Sequence, residues 1–193
     1  MRIAVFCSSR ENINEEYKES ARIVGRWIGE HSCTLVYGGV DKGLMHIVAS
    51  EVKAAGGRTV GIVPVTRLGV RNVRDDEMIT SCDLNDRKAK MLLLCDLFIV
   101  LPGGYGTLDE FVSTFTSLAF AGNKTKEIIV LNQNHLFDTT LAQFQVMIDE
   151  KMMEKELLQR VKVTTTAQEC CAMMKQFIHN KNHEKEHNIY MHR

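Results

Sequence analysis

Short apolar runs alternate along this chain with longer segments whose apolar positions recur every three or four residues. The runs Ile3 to Cys7, Thr34 to Tyr37, Thr59 to Val63, Leu97 to Leu101, Glu127 to Leu131 and Val161 to Thr164 predict strands, and Met78 to Ser81 a shorter one. Ile3 to Cys7 is continuously apolar rather than alternating, as a strand covered on both faces is. Helical spacing over Asn14 to His31 brings Tyr17, Ala21, Val24, Trp27 and Ile28 near one face. Gly43 to Ala55 repeats the pattern with Leu44, Ile47, Val48 and Val52, and Gly56-Gly57 stops it. Further helices are predicted over Asp83 to Leu94, Thr107 to Ala121, Thr139 to Glu150 and Thr166 to Asn180, with residues 65–77 as a polar loop.

Strand and helix alternate throughout, at spacings that suit right-handed crossovers. The pattern predicts an α/β fold: a single doubly wound parallel sheet with helices on both faces. One domain is expected over residues 1–180, followed by a polar, His-containing tail over 181–193. The order of the strands is not contained in the pattern.

Composition narrows the partners. Lys+Arg and Asp+Glu both number 24, so the formal net charge is zero. Such a chain has no bulk electrostatic reason to bind nucleic acid or an anionic membrane, and any anion must be held by local geometry. No stretch approaches the roughly 18 apolar residues of a membrane span, and the N-terminal apolar run is too short for a signal-peptide core. The cysteines Cys7, Cys33, Cys82, Cys95, Cys170 and Cys171 form no C-x-x-C pair. They read as reduced, mostly buried thiols of a cytoplasmic protein. His179, His183 and His187 are four apart and would share a face on a continued helix, where such pairs can bind a transition metal. The reading adopted is a solvated, frayed helix end, with no metal site.

Three loops leave the carboxyl edge of the sheet, where open α/β folds bind ligands. Cys7-Ser8-Ser9 follows the first strand. Gly38-Gly39-Val40-Asp41-Lys42-Gly43-Leu44-Met45 follows the second. Pro102-Gly103-Gly104-Tyr105-Gly106-Thr107 follows the most apolar one. Glycine-rich turns that open helices present free N–H groups and the positive end of the helix dipole, which suits a phosphate. Equally, these glycines could serve only as tight turns. Neither glycine loop is a G-x-G-x-x-G fingerprint or ends in G-K-[ST], which disfavours a dinucleotide dehydrogenase or an ATPase.

Asp109 and Glu110 lie just inside the helix after the third loop. Thr107-Leu108-Asp109-Glu110 fits a capping box, in which Glu110 reaches back to the helix start. Alternatively, a carboxylate beside a phosphate site has chemistry to perform. Arg87 and Lys88 could be a solvated helix face or cations for a nucleotide.

Asp86-Arg87-Lys88-Ala89-Lys90-Met91, an apolar strand, and then Pro102-Gly103-Gly104-Tyr105-Gly106-Thr107-Leu108-Asp109-Glu110 resemble the Lonely Guy family. These are cytokinin riboside 5′-monophosphate phosphoribohydrolases, often mislabelled lysine decarboxylases. The signature is P-G-G-x-G-T-x-x-E preceded by an R-K pair, and the resemblance runs from about Ile3 to about Glu150. It implies a Rossmann-like fold and hydrolysis of the N-glycosidic bond of a purine nucleoside 5′-monophosphate, AMP or N6-substituted AMP, to free base and ribose 5-phosphate. It assigns Arg87 and Glu110 as the catalytic pair. Substrate and phosphate contacts would come from Ser9, Gly39, Gly43, Met45, Lys88, Gly103, Gly104, Tyr105, Gly106, Thr107 and Thr116. No cofactor is implied, and family members are dimers.

The chain departs from the family where C-G-S-S is usual, having Cys7-Ser8-Ser9-Arg10. In the first glycine loop Val40 replaces a third glycine and His46 a final one, and Leu84-Asn85 stands where M-H is usual. A glutamate contact of the family in the loop after the third strand has no clear counterpart near Thr66-Arg67. These changes bear on the base more than on the bond broken. The other reading is a non-catalytic carrier of a nucleotide or phosphorylated cofactor on the same fold. A decarboxylase would need a Schiff-base lysine for pyridoxal phosphate, and no lysine is marked for it. Self-association is also expected from Phe111, Phe115, Leu118 and Ala119 on one helix and Leu92-Leu93-Leu94 on its neighbour.

Overall fold

Seven strands line up in parallel in the order β4-β3-β2-β1-β5-β6-β7. The computed structural model describes residues 1–72, 74–122 and 125–191, without the side chains of residues 70 and 184–191. The strands are β1 (Arg2–Phe6), β2 (Thr34–Tyr37), β3 (Arg58–Pro64), β4 (Glu77–Ser81), β5 (Leu97–Val100), β6 (Glu127–Leu131) and β7 (Val161–Thr164). The helices between and after them are α1 (Glu15–Glu30), α2 (Gly43–Ala54), α3 (Leu84–Leu94), α4 (Tyr105–Phe120), α5 (Asp138–Asp149) and α6 (Ala167–Met191). The expected α/β class and doubly wound parallel sheet are what the chain forms.

The two-residue period of a strand builds two cores from one sheet. Ile3, Val5 and Cys7 point to one face, where α1, α2 and α6 cover them with Val24, Ile28, Val48, Met174 and Phe177. Ala4 and Phe6 point to the other, against Met91 of α3, Phe111 and Phe115 of α4 and Phe144 of α5. Phe111 and Phe98 are fully buried, so truncating either to alanine would cost about 3–5 kcal/mol.

Local chemistry sets several helix starts. Asn14 caps α1 by accepting from the Glu16 N–H at 3.0 Å, and Asp83 caps α3 by accepting from Asp86 N–H at 2.8 Å. The differences from the pattern lie at element ends. The polar segment 65–77 contains a 3₁₀ turn, Val65–Val70, and the start of β4. Helix α4 begins at Tyr105, two residues before the expected Thr107. Helix α6 continues to Met191, about three turns past the expected end at Asn180, and Lys181 at the start of that extension bonds Asp96 of the body. Among the three tail histidines, His179 and His183 approach to 3.0 Å between their Nε2 atoms, and the His187 side chain lies outside the described residues.

Strand order creates the site. From β1 the chain steps outward through β2, β3 and β4, then returns to the other side of β1 to lay down β5. The connections of β1 and β5 therefore diverge to opposite faces and leave a crevice at the carboxyl edge between them. The Ser8 N–H bonds the Pro102 carbonyl at 3.2 Å across that junction, and the Leu44 N–H bonds the Ser8 carbonyl at 2.9 Å.

Candidate active site

A cleft of about 260 Å³ opens at this switch point. Its β1–β5 side is formed by Cys7, Ser8, Ser9, Arg10, Gly104, Tyr105, Gly106 and Thr107, and its β2–β3 side by Val40, Met45, Pro64 and Arg67. Leu84, Arg87 and Glu110 complete it. Glu110 is the one acidic side chain on its wall, against the three arginines 10, 67 and 87.

The turn before α4 opens the helix at the cleft. Gly104 is the N-cap and carries no side chain to satisfy the helix's first N–H groups. Those N–H groups face the cleft at Tyr105, Gly106 and Thr107, together with the positive end of the α4 dipole. Thr107 is buried, and its side chain packs so closely on Gly103 that a Cβ there would overlap it. In the first glycine loop Val40 and Met45 line the cleft, while the glycines shape it from behind. Gly39 and Gly43 both have positive φ, and a Cβ on Gly43 would lie 2.5 Å from the Ser9 backbone carbon.

Glu110 is not a helix cap. With α4 starting at Tyr105, it falls in the second turn and points inward, only 2% exposed. Arg87, from α3, donates from Nη2 to Glu110 Oε1 at 2.5 Å, and its Nε is buried without a protein partner. Burial pushes the Glu110 pKa up to about 7; the Arg87 charge opposes the rise and neighbouring Asp109 adds to it. Cys7 lies behind the pair, and burial followed by the Glu110 charge drives its thiol pKa far up, so it stays protonated.

Of the residues the sequence singled out, the fold brings Ser9, Met45, Arg87, Gly104, Tyr105, Gly106, Thr107 and Glu110 to one cleft. Gly39, Gly43 and Gly103 lie just behind its wall. Lys88 turns the other way: its Nζ bonds Asp109 at 2.7 and 2.8 Å and Ser113 at 3.0 Å, beside a separate hollow between α3 and α4. There it clamps the helix carrying Arg87 to the helix carrying Glu110. Thr116 is exposed on α4, away from the cleft. His46 also faces away, with Nδ1 2.6 Å from Asp41 Oδ1. The cleft adds Arg10, Val40, Pro64, Arg67 and Leu84. Val40 and Leu84 sit inside the motifs already noted, and Arg67 lies where the family's loop glutamate has no clear counterpart. Among the described residues no three His, Cys, Asp or Glu side chains cluster as metal ligands.

Fold and cleft define a doubly wound α/β protein with a ligand crevice at its topological switch point. Residues 45–174 match the family model described as possible lysine decarboxylase. A cytokinin riboside 5′-monophosphate phosphoribohydrolase of Oryza sativa subsp. japonica is 30% identical over 180 residues, 92% of this chain and 74% of that protein. One from Arabidopsis thaliana is 36% identical over 152 residues, 77% of this chain and 69% of that one. A probable member from the same rice is 36% identical over 143 residues, 73% of this chain and 63% of its own length. The chain belongs to this family, the Lonely Guy family that its motifs resemble. Among solved structures, the molybdenum cofactor carrier protein of Chlamydomonas reinhardtii superposes with a TM-score of 0.71 at 21% identity, covering 92% of this chain and 97% of that one. The molybdenum cofactor binding protein of Rippkaea orientalis gives 0.70 at 22%, covering 92% and 96%. At such identities the likeness concerns the fold.

Proposed function

We propose that the protein is a nucleoside 5′-monophosphate phosphoribohydrolase. It hydrolyses the N-glycosidic bond of AMP or an N6-substituted AMP, releasing the base and ribose 5-phosphate. The observation that carries this reading is the buried Arg87–Glu110 pair beside the open N-terminus of α4. The phosphate binds the N–H groups of Tyr105, Gly106 and Thr107, aided by Arg10 and Ser9. This places the ribose over Glu110. Cleavage develops oxocarbenium-like positive charge on the ribose, which an ionised Glu110 stabilises while it orients or deprotonates the attacking water. Arg87 keeps Glu110 ionised more readily than burial alone allows, and its cationic edge favours the departing base. Gly39, Gly43 and Gly103 hold the loops in shape. Lys88 fixes α3 on α4. Thr116, exposed on α4 and outside this cleft, acts from a neighbouring subunit.

A carrier of a phosphorylated cofactor is the competing reading, suggested by the names of the structural neighbours. A buried carboxylate in the cleft wall weakens an anion carrier and has a use in an enzyme. The protein is proposed to be a cytoplasmic homodimer. The six free cysteines support a reducing compartment. Among the described residues no helix is long and apolar enough to cross a membrane.

The test is chromatographic. Purified protein with AMP should yield adenine and ribose 5-phosphate, and with adenosine should yield neither, because phosphate binding orients the reacting sugar. Equal kcat/KM for the two would return the glycine turn to a purely structural role. Tight AMP binding without release of base would establish the carrier.

A further inference from the structure

Besides its glycine turn and its catalytic pair, the cleft wall holds a third arginine, Arg67. Arg67 lies on the 3₁₀ turn that leaves β3, whereas the glycine turn leaves β5. These strands are separated by β2 and β1. At about 4.8 Å between neighbouring strands the two loops start roughly 14 Å apart, close to the length of a nucleoside monophosphate. The other unpaired arginine belongs to the opposite end: Arg10 also lines a second hollow with Pro102, Gly103 and Gly104. The middle holds Glu110 and Arg87. Between them and Arg67 the walls are Val40, Met45, Pro64 and Leu84, an apolar slot suited to the faces of a purine. Among the described residues the Arg67 guanidinium has no ion-pair or hydrogen-bond partner.

Resting on the phosphoribohydrolase reading, we propose that Arg67 is a specificity-determining residue that recognises an oxygen acceptor at the six-position edge of the purine. A guanidinium offers only donors, arranged in a planar fork. It meets the 6-amino group of adenine donor to donor. It pairs in two-pronged fashion with the O6 and N7 of a 6-oxopurine, or with a carboxylate carried on an N6 substituent. The preferred substrates are therefore 6-oxopurine nucleoside monophosphates or N6-carboxyalkyl AMP, with AMP and N6-alkyl AMP accepted less well. The margin is on the order of 10–100-fold in kcat/KM, the discrimination one such pair supplies.

The experiment compares AMP, N6-isopentenyl-AMP, N6-carboxymethyl-AMP, IMP and GMP. Base release is measured on the wild type, Arg67→Met and Arg67→Glu, and equilibrium binding on the same three forms carrying Glu110→Gln. Arg67 is exposed, so neither substitution endangers the fold. The wild type should favour the oxygen-bearing nucleotides. IMP and GMP lead if the partner is O6, and carboxymethyl-AMP leads if it is a carboxylate. Arg67→Met should level the series and Arg67→Glu should turn it toward AMP. A wild type that prefers AMP or isopentenyl-AMP, or a ranking that Arg67→Glu leaves in place, overturns the assignment. If AMP is cleaved and the ranking ignores Arg67, the hydrolase stands and this inference falls. If nothing is cleaved but binding follows Arg67 as described, the inference stands and the hydrolase falls.

Discussion

Arg87 and Glu110 come from different helices, 23 residues apart, and meet in a 2.5 Å hydrogen-bonded ion pair whose side chains are 13% and 3% exposed. Helix α3 delivers the arginine from its packing against β3 and β4, and α4 delivers the glutamate from its second turn after β5. Neither is needed by the secondary structure around it. Asp83 caps α3, and α4 starts without a side-chain cap. A buried pair of this kind is weak evidence for stability, since desolvation of both charges offsets their attraction. Its place in the cleft is better explained by chemistry.

Glu110→Gln should therefore abolish turnover and spare the fold. The amide is isosteric and still accepts from Arg87, but it cannot carry the charge that the transition state needs. The expected loss in kcat is on the order of 10²–10⁴, with AMP binding retained by calorimetry. Near-normal kcat would show that this carboxylate is structural.

The pH dependence follows from the raised Glu110 pKa. Turnover that needs the carboxylate should rise with pH and level off above about 7. Arg87 lowers that pKa, so Arg87→Gln should move the midpoint of log kcat to higher pH as well as reducing its plateau. Stability runs the other way. The folded state retains on Glu110 a proton that the unfolded chain loses near pH 4.5, so this group's contribution to stability is present below about 4.5 and is lost as pH rises to about 7. The difference in melting temperature between wild type and Glu110→Gln should change across that window and stay flat above it. A midpoint for Arg87→Gln at or below the wild-type value would contradict the pairing.

Gly38 positions Arg87. It has an ordinary φ, so alanine is permitted there by the backbone, but the added Cβ would lie 3.2 Å from Arg87 Nη1 and 3.2 Å from the Met45 thioether. Met45 can yield. The guanidinium must give by a few tenths of an ångström, which disturbs its bond to Glu110. Gly38→Ala should lower kcat on the order of 10–100-fold, as sub-ångström misplacement does, and raise the pH midpoint in the same sense as Arg87→Gln. A changed melting temperature with an unmoved pH profile would reduce Gly38 to a packing residue.

Phe111, Phe115 and Leu118, from which self-association is expected on sequence, are instead buried in the core of a single chain. The proposed dimer needs another face: Leu93 on α3 and Phe120 at the end of α4 are 80% and 90% exposed, with Val112 also uncovered on α4. Large apolar side chains left open in this number mark an association surface. Sedimentation velocity at micromolar concentration should give a dimer for the wild type and a monomer for Leu93→Asp combined with Phe120→Asp. A monomeric wild type would remove the dimer from the proposal.

What the amino-acid sequence determined by itself was local or periodic. Ile3 to Cys7 and Leu97 to Leu101 declare buried strands because both their faces are apolar, and the spacing of Val24 and Ile28, or of Val48 and Val52, declares a helix face. The glycine turn at Gly103-Gly104 is legible because it is one contiguous stretch, and the Arg87-Lys88 and Glu110 motifs are legible as a family signature. What only the tertiary structure decided depends on which strand lies beside which. The return of the chain from β4 to β5 across β1 places the crevice, and no residue encodes that step alone. Capping-box spacing at Thr107 and Glu110 could not reveal that α4 starts earlier and turns the carboxylate inward to Arg87. Adjacent Arg87 and Lys88 look alike in the chain, yet the helix points them about 100° apart, one into the cleft and one onto Asp109. For Arg67 the sequence offers only a departure, the lack near Thr66-Arg67 of a clear counterpart to the family's loop glutamate, and the distance across four neighbouring strands is what brings it to the same cleft as the glycine turn.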